Sequence, residues 1–168
     1  MVDMAVKAMQ RGSSEGTKLA TTCWTAVIKC AEMSGAISQR AAALLNANVQ
    51  SNNPAAFVPD GSEVIESQAA WDAIAPGCFV ALLGPSYHSN PMSQDDEGRV
   101  LSHAMVSLGN GQMAGSNNGV IGFAGNWSMV ELDERHTWQN GFLVYEGRAY
   151  RVLVRDIESQ DKPSCIIM

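Results

Sequence analysis

The sequence predicts an α+β domain: N-terminal helices, with a central helix that bears a cysteine, packed on a small antiparallel sheet. Three observations carry this. Helix-period apolar patterns occupy the first part of the chain, most clearly from Leu19 to Ser34 and from Gln39 to Val49. Strand-like runs bounded by Gly, Pro and Asn occupy the part from Cys78 onward. Asn110-Gly111 and Glu146-Gly147 stand between such runs, where tight hairpin turns belong. Helices followed by strands, without βαβ alternation, is the order of an α+β fold with its helices on one face of the sheet.

At 168 residues the chain suits one domain, read as 1–160 with a tail over 161–168. A hydrophobic share of 46% against 17% charged is enough to fill a core and excludes a disordered chain. The net charge is −6 and no basic stripe is visible, so no nucleic-acid partner is expected. The first residues lack the apolar core of a secretory signal, and no apolar run approaches the roughly 20 residues that span a bilayer. The expectation is a protein of the cytoplasm or one delivered into a target cell. Cys23, Cys30, Cys78 and Cys165 form no Cys-x-x-Cys pair, which argues against a zinc knuckle or a thioredoxin motif. Reduced thiols are expected, and no cofactor or metal is implied.

In chain order, Val2 to Gln10 reads as a short helix and the polar stretch from Arg11 to Gly16 as a loop. Leu19 to Ser34 is the best helix. Cys23, Ala26, Val27, Cys30 and Ala31 form one apolar stripe at i, i+3, i+4, i+7 and i+8, widened by Trp24 and Ile28. Thr21 or Thr22 is its candidate N-cap and Gly35 its stop. Ser38 caps a second helix over Gln39 to Val49. Gln50 to Ser62, rich in Asn and Pro, is a loop. Ser67 to Ile74 makes one or two helical turns, which Pro76-Gly77 ends. Cys78 to Leu83 is a continuous apolar run whose length and flanks favour a buried strand. Gly84 to Arg99 is a long polar insertion suited to a binding loop. Leu101 to Asn118 is a hairpin, Gly119 to Gly125 a Gly-rich segment without phosphate-loop features, and Ser128 to Leu132 a short strand. Phe142 to Tyr145 and Ala149 to Val154 form the last hairpin.

This order places chemistry-bearing residues suggestively. With Thr21 or Thr22 as cap, Cys23 lies in the first helical turn, where the helix dipole and unfilled amides favour thiolate; Cys30, two turns on, gains little. His103 is the histidine of a predicted core strand, whereas His88 sits in the polar insertion and His136 beside the acidic segment Glu131 to Arg135. A base needs an orienting partner. A two-residue turn pairs Gly109 with Gln112 and sets His103 opposite Asn118. A bulged three-residue turn pairs Leu108 with Gln112 and sets it opposite Asn117. Gly109-Asn110-Gly111 suits the bulged form, which makes Asn117 the first choice and Asn118 the alternative.

The layout resembles the NlpC-type cysteine peptidases of the papain-like superfamily, in which a cysteine opens a helix packed on a small antiparallel sheet. The resemblance covers roughly residues 18 to 120. It rests on Ala75-Pro-Gly-Cys-Phe-Val-Ala, which matches the family's Pro-Gly strand, and on HAMVSLGNGQMAG from His103, which matches its histidine hairpin. It implies Cys23 as nucleophile, His103 as base, and hydrolysis of a peptide or isopeptide amide, with acyl transfer in diverged relatives. The family's third polar residue falls at Gly115 here, so Ser116, Asn117 or Asn118 would take the role. Thr21-Thr22 stands where the family usually has Asp or Asn, and Trp24 replaces a small residue. The absence of a wall-binding repeat suits a toxin or effector better than a wall hydrolase. The competing reading is a non-catalytic binding module on the same fold.

The last four residues, Cys165-Ile-Ile-Met, match a prenylation box of the farnesyl type. No polybasic run precedes it, so a lipid at Cys165 would anchor the protein to a membrane only weakly.

Overall fold

The computed structural model describes residues 1–10, 12–19, 21–49, 62–85, 98–116, 127–130 and 136–156. Four helices come first: α1 (Val2–Met9), α2 (Ser14–Lys18), α3 (Cys23–Met33) and α4 (Gln39–Val49). A short strand β1 (Glu63–Ile65) and a helix α5 (Gln68–Asp72) follow. The remaining strands are β2 (Phe79–Pro85), β3 (Arg99–Gly109), β4 (Gln112–Ser116), β5 (Trp127–Val130), β6 (His136–Gln139), β7 (Phe142–Tyr145) and β8 (Arg148–Arg155). The protein is α+β, and its curled sheet runs β5-β4-β3-β2-β8-β7-β6, with β1 paired to β8. Every pairing is antiparallel. Among the described residues no helix is long and apolar enough to cross a membrane.

Both faces of the sheet are covered, and strand alternation decides what each face meets. Phe79, Ala81 and Leu83 of β2, Ala104 and Val106 of β3, Ala114 of β4 and Leu153 of β8 pack under the α3 stripe of Cys23, Ala26, Val27, Cys30 and Ala31. On the other face Val80, Leu82, Met105, Met113, Val152 and Val154 pack with Trp71, Ile74 and Leu143. Burial on both faces is why β2 reads as an unbroken apolar run although its sheet is antiparallel. The fully buried Trp71 anchors α5 beneath the β3–β4 turn by donating from Nε1 to the Gly111 carbonyl at 3.0 Å.

The expected elements stand with a few differences. α4 spans Gln39 to Val49, and the Ser38 hydroxyl accepts from the Ala41 amide, as the capping pattern predicts. Gly35, at φ +75°, follows the end of α3. α2 stands where the sequence reads as loop, because the Ser13 hydroxyl caps it by accepting from Gly16 N at 2.9 Å. Leu19 belongs to the end of that helix, its amide bonded to the Glu15 carbonyl, so α3 starts at Cys23 rather than Leu19. β1 and β6 are absent from the sequence reading. β1 is three residues long, and β6 (HTWQ) has no buried residue to mark an inner face. Asn140-Gly141, at φ +52° and +79°, is the turn signal that would have revealed β6. The readings for 50–61, 86–97, 117–126 and 157–168, including the polar insertion and the Gly-rich segment, lie outside the described residues.

Candidate functional site

The site begins at the start of α3. Thr22 is the N-cap, with extended ψ of 150°, and Cys23 is the first helical residue. Thr22 makes no side-chain capping bond, and its hydroxyl donates to Thr25 Oγ1 at 3.1 Å. Cys23 is buried at 4% exposure, so its thiol belongs to the helix–sheet interface. Beside it Trp24 stacks at a tilt on Phe79, with ring centroids 4.9 Å apart. The bulk at this position therefore fills the gap between α3 and β2.

A contact across 95 residues fixes the segment ahead of Cys23. The Ser116 hydroxyl, at the end of β4, donates to the carbonyl of Thr21. Ser116 has no solvent exposure. The end of the β3–β4 hairpin is thereby tied to the residue two positions before Cys23.

His103 lies on β3 beside an irregularity. Leu82 pairs with His103 and Leu83 with Leu101, which leaves Ser102 as the extra residue of a β-bulge. The bulge shifts the alternation of faces. Ala104 and Leu101, three positions apart, both pack with the α3 cluster. His103 itself stands opposite Leu82, so its side chain shares the face of Leu82 and Met105, away from α3 and Cys23. It is partly buried, and that burial pushes its pKa down to about 4. At neutral pH the imidazole is therefore uncharged, the form a general base must have.

The hairpin combines both expected turn forms. Asn110 and Gly111 take φ of +53° and +74°, and Gly109 pairs with Gln112, the two-residue closure. The register then shifts at Leu108, so Ser107 pairs with Met113 and Val106 with Ala114. The body of the strand pair thus runs in the register expected of the bulged turn. β4 ends at Ser116, and Asn117 and Asn118 lie outside the described residues, as does Cys165.

The other thiols differ from Cys23 in setting. Cys30 faces the core in mid-helix, and burial pushes its pKa up to about 12. Cys78 is half-buried and held above the ordinary thiol range, by burial first and then by the charges of Asp156 and Glu63. Cys78 lines a cleft of about 430 Å³ with Asp3, Ala36, Pro76 and Asp156. Among the described residues no three His, Cys, Asp or Glu side chains are grouped to hold a metal ion.

Of the residues singled out from sequence, Cys23 and Ser116 are joined through Thr21. Cys23 and His103 are not brought together, because His103 shares the sheet face of Leu82 and Met105 whereas α3 packs on the face of Ala104 and Val106. The Ser116 tether has no local signal, since a hydroxyl bonded to a carbonyl 95 residues away leaves no mark on either segment. Comparison of the chain with protein-family models, curated proteins and solved structures gives no match.

Proposed function

We propose that this protein is a cysteine hydrolase cleaving a peptide or isopeptide amide, with Cys23 as nucleophile, His103 as base and Asn117 as the residue that orients the imidazole. The observation that carries the reading is the position of Cys23. It is the first residue of α3, and α3 packs its buried stripe on the β3–β4 hairpin that bears His103. A helix N-terminus favours thiolate and offers amides to a developing oxyanion. In this scheme Cys23 Sγ attacks the carbonyl carbon, and His103 takes the thiol proton and passes it to the leaving amine. A thioester remains. His103 then deprotonates water, which attacks the thioester, releases the carboxylic acid and restores the thiol. An amine in place of water would make the same chain an acyltransferase. The NlpC-like assignment of the fold goes with this reading.

The competing reading is a non-catalytic binding module. What favours it is that His103 shares the sheet face of Leu82 and Met105, opposite the face on which α3 and Cys23 pack. Reactivity discriminates between the two readings. Iodoacetamide at pH 7, followed by peptide mapping, is expected to label Cys23 much faster than Cys30 or Cys78, with His103→Ala slowing it. Equal, slow labelling of all three in the folded protein would sink the hydrolase.

A further inference from the structure

We infer that Ser116 is a positioning residue for the nucleophile, acting through the backbone of Thr21 and not by touching substrate. The inference rests on the reading of Cys23 as nucleophile.

A helix whose N-cap side chain bonds a first-turn amide has a local device that sets how the chain enters. α3 lacks that device, since Thr22 makes no side-chain capping bond. The bond from Ser116 acts in its place. The Thr21 carbonyl and the Thr22 amide share one rigid peptide plane, so holding the carbonyl fixes that plane. The next plane along carries the Cys23 amide, the donor expected to meet the oxyanion. The anchor is itself rigid: Ser116 is fully buried and pairs with Trp127 of β5. Ser116 also ends the hairpin that carries His103. One hydroxyl thus couples the nucleophile's helix to the end of the β3–β4 hairpin. A misplacement on the order of 1 Å at a reacting group can cost about a hundredfold in rate.

The test follows Cys23 alkylation by iodoacetamide against pH in the full chain, for the wild type, Ser116→Ala and Ser116→Thr. Ser107→Ala serves as control: Ser107 is equally buried on β3, bonds the Ile74 carbonyl at 3.3 Å, and lies away from α3. The expected result is roughly tenfold slower labelling in Ser116→Ala, with its midpoint moved to higher pH, and recovery in Ser116→Thr. Ser107→Ala should lower the urea midpoint yet keep the wild-type profile. Should Ser116→Ala not fold, Ser116→Cys keeps the volume with a weak donor, and the same slowing is expected at the Cys23 peptide. Fast Cys23 in the wild type with an unchanged profile in the Ser116 variants overturns the inference and leaves the hydrolase standing. Slow Cys23 in the wild type overturns both.

Discussion

Replacing His103 with Gln should make the protein less sensitive to acid. Burial lowers the His103 pKa from 6.5 to about 4, so the folded state holds the imidazole neutral where an unfolded chain would protonate it. The sign follows from proton counting. Between pH 6.5 and 4 the unfolded state binds more protons at this site, so stability rises with pH across that window and falls as pH drops through it. More than about one unit above pH 6.5 neither state is protonated there and the residue contributes no pH dependence. A shift of this size has a ceiling of about 3.5 kcal/mol, at roughly 1.4 kcal/mol per pH unit. His103 is only partly buried, so about 1–2 kcal/mol is the better expectation. The assay is urea unfolding of wild type and His103→Gln at pH 7.0, 6.0, 5.0 and 4.5. Carboxylates titrate alike in both proteins and cancel in the difference. The wild type should lose about 1–2 kcal/mol more than the variant between pH 7.0 and 4.5. Parallel curves would refute a desolvated imidazole. A wild type that gains stability relative to the variant on acidification would mean that His103 meets a negative group, as in a thiolate–imidazolium pair.

Two further outcomes test the hairpin's support. Trp71→Phe removes the indole donor to the Gly111 carbonyl and leaves space in a fully buried site, so urea unfolding should show a loss of about 2–4 kcal/mol; a loss below about 1 kcal/mol would mean that this anchor is not needed. Gly111→Ala imposes φ of +74° on a residue with a Cβ, which would meet Asp72 Oδ1 at 2.5 Å. It should cost at least about 1–2 kcal/mol, and adding Asp72→Ala should recover only the clash, since the backbone strain remains. Full recovery in the double variant would show the turn to be unstrained.

Much of this organisation was legible in the residues because it is local. The Cys23–Ala31 stripe, the Ser38 cap, the Asn110-Gly111 turn and the two-faced apolar run of β2 each reflect neighbours within a few positions, where helix and strand periods act. The start of α3 was legible to within a turn of helix, which was enough to separate Cys23 from Cys30. β6 was missed although Asn140-Gly141 marked its turn, since its own side chains offer no apolar alternation.

What only the tertiary structure decided is where separate segments meet. The bulge at Ser102 beside His103 appears only once β3 is laid against β2. The register shift at Leu108 combines two turn forms that local rules treat as alternatives. The acidic setting of Cys78 comes from Glu63 and Asp156, distant on either side of it in the chain. The tether from Ser116 to Thr21 joins residues 95 apart, and it depends on strand order and helix placement together. Local sequence sets which face a side chain presents, and long-range packing sets what that face meets. Thus the amino-acid sequence alone sufficed to single out a cysteine at a helix start and a histidine on a hairpin strand. Only the pairing of β3 with β2 and the seat of α3 show that the two stand on opposite faces of the sheet, which no short stretch of chain encodes.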